Sequence, residues 1–173
     1  MVSTAAARGG FVSAEGSKYS TMKIAVSSDA RTHLVDAILE DLGHRGHEVE
    51  YLGPEQEKEV DWPVVTLEAA ERVAQGAADE AIVMCWTGTG ATLAANKVPG
   101  VRAALCHDAE TAKGARISNH ANVLGLSLRA TPEAVAKEIL NAWFETPFSH
   151  DEWNLCQMQR IREAEQRYAT LGK

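Results

Sequence analysis

Short apolar runs alternate along the chain with longer segments whose apolar residues recur every three or four positions. That is the pattern of strands alternating with amphipathic helices. KIAVSS at residues 23–28 predicts a buried strand. Residues 31–46 predict a helix with Leu34, Ile38, Leu39 and Leu42 on one stripe, stopped by Gly43 and Gly46. Residues 47–52 alternate as a second strand, and a charged loop occupies 53–59. Asp61-Trp62-Pro63 opens a helix reaching Gln75, with Pro63 suited to a first turn and Val65, Ala69 and Val73 facing inward. Further strands are predicted at 81–84, 101–106 and 122–127, separated by helices at 91–97 and 109–117. Pro99-Gly100 breaks the first of these helices. Thr131 is the expected cap of a helix over 132–144, with Val135, Ile139 and Trp143 on its stripe and Pro147 beyond it.

Strands alternating with helices imply a parallel sheet with right-handed crossovers. The expected fold is a Rossmann-like three-layer α/β/α sandwich with a five-stranded parallel sheet of order 2-1-3-4-5. Its switch point between the first and third strands would bring Asp29 beside Cys85. Residues 151–171 form an extra C-terminal helix whose stripe (Leu155, Met158, Ile161, Ala164, Tyr168, Leu171) needs a covering surface, on its own subunit or across a dimer. Residues 1–21 are small and polar and lack the apolar centre of a signal peptide; a disordered extension is expected there. Met22 is an alternative start, and 22–173 form one domain.

Composition narrows the function. The 173 residues carry a net charge of −7 and no long basic run, which argues against nucleic acid or an anionic membrane as partner. No apolar run nears the roughly 20 residues that span a bilayer. The three cysteines, Cys85, Cys106 and Cys156, are an odd and sparse set without a CxxC pair, which suits reduced thiols in the cytoplasm. The six histidines form no HExxH or similar pattern, so no metal is expected.

Polar chemistry gathers at the predicted strand exits. Cys85 ends an apolar run and precedes TGTG, where Gly88 and Gly90 permit tight turns and expose amides. A helix start just beyond favours an anion and the thiolate form of a cysteine; a buried structural thiol is the competing reading. His107 follows another strand and can shuttle protons, or can be a capping or solvent-exposed residue. Cys106 sits inside its apolar run and reads as core. Asp29 is either a hydroxyl-binding carboxylate or a helix cap. Arg116 is either an anion ligand or a solvated helix-end charge. Thr87 can donate a hydroxyl or only hold the turn.

The stretch MCWTGTGATLAANKVPGVRAALCHD at 84–108 resembles the signature of type B ribose-5-phosphate isomerases and the related galactose-6-phosphate isomerase subunits. ANKVPG at 95–100 is its most specific part, and MKIAVSSD, VDWP, NHANVL and TPFS match in order from Met22 onward. The resemblance implies a metal- and cofactor-independent aldose–ketose isomerase acting on a sugar or sugar phosphate, with Cys85 as the base of an enediolate mechanism. It implies an oxyanion site at the loop amides of Gly88 and Gly90. Thr87 and His107 fall at positions associated with ring opening. Asp29, Asn96, Arg116 and Asn119 fall at substrate-binding positions, Arg116 at a phosphate contact. It also implies active sites built across a homodimer, with a tetramer as the larger alternative.

Three departures bear on the substrate. The family's Asp-His-Ala-Gly is here Asp29-Ala30-Arg31-Thr32, so a histidine is missing. The glycine after the cysteine is Trp86, a bulky side chain at the mouth of the site. The Arg-His and Arg-Arg pairs expected near the C-terminus are Trp153-Asn154 and Cys156-Gln157, with Arg160 and Arg162 one turn later. A phosphate dianion wants several charge-assisted donors. The departures therefore point away from ribose 5-phosphate, toward a shorter sugar phosphate or an unphosphorylated sugar. The alternative is a non-catalytic sugar- or anion-binding module on the same fold.

Overall fold

A computed structural model describes residues 20–55, 58 and 60–169. All but the last two residues of the expected N-terminal extension, and Leu171, lie outside the described residues.

The chain runs β1 (Lys23–Ser28), α1 (His33–His44), β2 (Glu48–Leu52), α2 (Trp62–Ala74), β3 (Glu80–Cys85), α3 (Thr89–Ala95), β4 (Ala103–Leu105), α4 (Ala109–Asn119), β5 (Val123–Ser127), α5 (Glu133–Glu145) and α6 (Glu152–Ala169). Every strand pair is parallel. The expected elements are present with ends displaced by a few residues. The α1 cap is Thr32, whose hydroxyl accepts from the Val35 amide at 3.4 Å. Pro63 lies in the first turn of α2. Thr131 does not cap α5; Pro132 holds that position, and no side chain bonds the helix end.

The sheet order is β2-β1-β3-β5-β4, which corrects the expected 2-1-3-4-5. The cause is burial on two faces. A central parallel strand is covered by helices on both sides and must be apolar throughout. β3 and β5 are buried at every residue, whereas the three-residue β4 is only half-buried. β4 therefore takes the edge. Gly125 in β5 is part of the same fit, because a Cβ there would collide with the Thr92 hydroxyl of α3.

The period-2 alternation of the strands feeds two cores. Ile24, Val26, Ile82, Met84, Leu124 and Leu126 meet α1, α4 and α5. Ala25, Ala81, Val83, Cys85 and Val123 meet α2 and α3 through Ala69, Ala70, Ala91 and Ala95. Small residues on this second face let α3 sit close to the sheet at the end of β3. Each fully buried Ile or Leu contributes about 1.5–3 kcal/mol. α6 lies against α4; among the described residues of its stripe only Met158 is buried, while Leu155, Ile161 and Tyr168 stay exposed.

Candidate active site

The switch point survives the change of order. β3 lies between β1 and β5, and its last residue, Cys85, pairs with Ser127 at the carboxyl edge of the sheet. Ligands of open α/β sheets bind in this crevice. Cys85 is 5% exposed, and its Sγ accepts the Ala91 amide at 3.4 Å. Its carbonyl accepts the amides of Gly88 at 3.1 Å and Leu128 at 3.0 Å, so the sulfur rests on a fixed backbone.

The turn beyond it requires glycine. Gly88 has φ +75°, and a Cβ there would stand 2.6 Å from Leu105 Cδ1 and 2.8 Å from the Leu126 carbonyl oxygen. Gly90 lets the Trp62 ring approach the start of α3 closely; a Cβ would come 3.3 Å from that ring. Thr87 and Thr89 pair their hydroxyls at 2.7 Å.

Two hollows flank this turn. The first, about 620 Å³, is lined by Asp29, Ala30, Thr32, Val60, Asp61, Trp62, Trp86 and Leu128. Asp29 and Trp86 thus share one hollow. The second, about 220 Å³, brings together Thr87, His107, Ser127 and Arg129 with Leu105, Cys106, Ala130 and Thr131. The exposed His107 ring meets Asp108 at 3.2 Å. The Asp108 carboxyl is held below its usual range, first by the Thr111 backbone amide, which it caps at 2.6 Å. Cys106 is packed in the core, and burial, aided by Asp108, pushes its thiol up to about 12. A thiol so disfavoured as an anion fits the core role expected for it.

Arg129 went unmarked in the sequence. It follows β5, and the assumed strand order put β5 at the far edge, away from Cys85. In the true order the exit of β5 adjoins that of β3, and the Arg129 amide donates to the Trp86 carbonyl at 3.1 Å. No hydrogen bond or ion pair engages the Arg129 guanidinium among the described residues, unlike those of Arg31, Arg45, Arg72 and Arg116.

Three other expected ligands lie elsewhere in the protomer. Glu80 opens β3 and Cys85 closes it, so their ends of the sheet are roughly 16 Å apart at the usual strand rise. Arg116 is at the Glu80 end. It is 9% exposed, meets Glu80 Oε1 at 2.7 Å, donates to the Ala121 carbonyl at 2.7 Å, and is sandwiched by the rings of Trp143 and Phe148. Trp143 Nε1 donates to the other carboxylate oxygen at 2.5 Å. Burial raises the Glu80 carboxyl, and Arg116 and Trp143 oppose the rise. Asn96 spends its amide on the edge strand, accepting from the Ala103 amide and donating to the Ala103 carbonyl, each at 2.8 Å. Asn119 ends α4 and borders a groove of about 830 Å³ between α6 and β4. Arg160 and Arg162 line neither hollow beside Cys85.

Among the described residues no three His, Cys, Asp or Glu side chains gather as a metal site, and no helix is long and apolar enough to cross a membrane. An α/β sheet with acid, thiol, imidazole and guanidinium groups outside its central strands has the layout in which open α/β folds hold small polar ligands.

The particular family follows from sequence and shape together. A family model described as Ribose/Galactose Isomerase matches residues 24–161, and the chain belongs to that family. It is 33% identical over 153 residues to ribose-5-phosphate isomerase B of Mycobacterium tuberculosis, covering 84% of this chain and 94% of that one. It is 41% identical over 87 residues to D-erythrulose-4-phosphate isomerase of Pectobacterium atrosepticum, covering 50% of this chain and 57% of that one. The structure of Clostridium thermocellum ribose-5-phosphate isomerase B superposes with a TM-score of 0.81 at 37% identity, covering 85% of this chain and 99% of that one. The protein is an aldose–ketose isomerase.

Proposed function

We propose that the protein interconverts an aldose phosphate and its ketose, with Cys85 as the base. The carrying observation is the placement of Cys85 at the carboxyl edge of the sheet, its sulfur held by the Ala91 amide, with the next two residues, Trp86 and Thr87, each lining a separate hollow. The Cys85 thiolate takes the proton from the carbon beside the carbonyl. The electrons of that C–H bond form the enediolate; the proton held by sulfur exchanges with solvent before a proton is delivered to the adjacent carbon, and the hydroxyl proton passes from one enediolate oxygen to the other. Backbone amides of the Thr87–Gly90 turn stabilise the oxyanion. A four-carbon sugar 4-phosphate has no ring to open, so Thr87 and His107 serve to carry the hydroxyl proton between the two enediolate oxygens. Arg129 supplies the cation for the phosphate, a role for which its unpaired guanidinium is suited. Asp29 accepts sugar hydroxyls. No step calls for a cofactor.

The substrate is a sugar phosphate shorter than ribose 5-phosphate. Trp86 stands 64% exposed where the family carries glycine, and relatives named D-erythrulose-4-phosphate isomerase are 41% and 39% identical over half the chain. The working unit is a cytoplasmic homodimer. Its supports are the groove between α6 and β4, lined by Val101, Ala103, Ile161, Ala164 and Tyr168, and the apolar side chains of Trp153 and Leu155 left exposed nearby on α6. A partner on this face is what would carry Asn119 toward a second copy's site.

Solvent deuterium incorporation into four- and five-carbon sugar phosphates tests both parts. Wild-type protein should label the shorter substrate and Cys85→Ala should not, with its melting temperature kept. Undiminished labelling by Cys85→Ala removes Cys85 from the mechanism, and preferred turnover of ribose 5-phosphate overturns the shorter substrate.

A further inference from the structure

Two buried hydroxyls lie in the layer between the sheet and α2, and neither has a hydrogen-bond partner among the described residues: Ser27 Oγ of β1 and Thr66 Oγ1 of α2. Both residues are fully enclosed. Comparable hydroxyls in the same chain find partners. That of Ser28 donates to the Ala30 carbonyl at 2.8 Å, and that of Ser127 to the Trp86 carbonyl at 2.9 Å. Thr92 returns its hydroxyl to the Gly88 carbonyl one turn back at 2.8 Å, the usual recourse of a helical threonine. Thr66 makes no such bond.

Both hydroxyls belong to the neighbourhood of Cys85. Ser27 pairs in register with Val83, two residues before Cys85 on the adjacent strand. Period-2 alternation turns Ser27 to the same face as Ala25, Val83 and Cys85. Strand spacing and rise put the Cα atoms of Ser27 and Cys85 about 8 Å apart. Thr66 is one turn beyond Trp62, whose ring approaches Gly90, and one turn before Ala70, which shares a core cluster with Ala25 and Ala81. It therefore sits at the level of Ser27 and Cys85. The cluster is built largely of alanine (Ala25, Ala69, Ala70, Ala81, Ala91), whose methyls leave room for a water beside polar groups. The Cys85 sulfur accepts the Ala91 amide, so its own S–H proton is free to point elsewhere.

We propose that Ser27 and Thr66 bind one enclosed water between β1 and α2, and that this water exchanges protons with the Cys85 thiol. A buried water typically makes about three hydrogen bonds, and the two hydroxyls and the thiol supply that number. A buried hydroxyl left unbonded bears its full desolvation cost; one water relieves both. The exchange is a swap: the S–H proton passes to the water oxygen while a proton of the water passes to sulfur, so charge and electrons are unchanged. It gives a thiol that is only 5% exposed a route for trading its proton with solvent during turnover. The exchange step rests on the isomerase function above; the water site does not.

High-resolution diffraction from crystals of the full chain should show a water within hydrogen-bond distance of both hydroxyls. Ser27→Ala should lower the melting temperature, because it takes a partner from the water and leaves Thr66 short. The double variant Ser27→Ala/Thr66→Val has no hydroxyl left to satisfy and should recover part of that loss. Two dry hydroxyls give the opposite sign, with Ser27→Ala melting above wild type. When a sugar phosphate is turned over in deuterium oxide, Ser27→Ala should incorporate no more than half the deuterium per turnover of wild type, because more of the abstracted proton is carried straight to product. No density between the hydroxyls, or a raised melting temperature for Ser27→Ala, overturns the water site. Unchanged incorporation in Ser27→Ala overturns its exchange with Cys85. If wild type turns over no sugar phosphate, the isomerase function and the exchange step fall together, and density and melting still decide the water.

Discussion

Replacing Arg116 with Met should cost the fold heavily. Glu80 and Arg116 have side chains only 7% and 11% exposed, and they meet at 2.7 Å. Without the guanidinium, the Glu80 carboxylate keeps one neutral donor, Trp143 Nε1. Removing one partner of a buried pair typically costs about 3–5 kcal/mol, because the remaining charge is stranded. Met refills most of the space between Trp143 and Phe148, so the loss is chiefly electrostatic. At the usual 2–4 °C per kcal/mol for a chain of this length, the melting temperature should fall by roughly 6–20 °C. Urea unfolding of the variant gives the free energy directly.

The pH dependence provides a second readout. Burial already raises the Glu80 carboxyl, and losing Arg116 removes the main opposing influence. A group whose pKa is higher folded than unfolded adds stability that is full below the unfolded value and lost as pH rises through the folded one. The deficit of Arg116→Met should therefore narrow as pH falls from neutral toward about 4. The double variant Glu80→Gln/Arg116→Met removes both charges and keeps an acceptor for Trp143, so it should recover about 2 kcal/mol or more over the single variant. A single-variant loss under about 1 kcal/mol, or a double variant no more stable than the single, would refute the stranded-charge argument.

Gly88→Ala should destabilise the protein by about 2 kcal/mol or more, measured by urea unfolding, since it combines positive φ with contacts of 2.6–2.9 Å to Leu105 and Leu126. Asn96→Ala should cost about 1–2 kcal/mol in the same assay through its two bonds to Ala103; retained stability would show that the edge strand does not depend on it. In thiol labelling at pH 8 read by mass spectrometry, exposed Cys156 should react quickly and Cys106, pushed up to about 12, should stay unmodified; fast labelling of Cys106 would contradict its burial. Burial, helped by the Arg45 charge, lowers His47, so its stabilising contribution is present above about pH 6.5 and lost as pH falls through its lower folded value. His47→Gln should flatten the acid limb of the stability curve between about pH 7 and 5.

The sequence by itself determined what depends on near neighbours. Strand and helix positions followed from periods of two and 3.6. The Cys85–Gly90 turn followed from glycine spacing at a strand exit, and the family from the ANKVPG segment beside it. The core role of Cys106 was legible for the same reason, since its neighbours in the run are apolar. Tertiary structure decided what depends on strands brought together from afar. The places of β4 and β5 turn on which strand can be buried on both faces, and each strand read singly is only a short apolar run. That exchange put Arg129 beside Trp86 and Thr87. Arg116 shows the converse: the chain places a helix-end cation there, but only the assembled sheet supplies Glu80, Trp143 and Phe148 as its partners. Local order is set within one or two turns of chain. The company an ionic group keeps is set by packing, because a buried charge must find its counter-charge wherever the fold provides it.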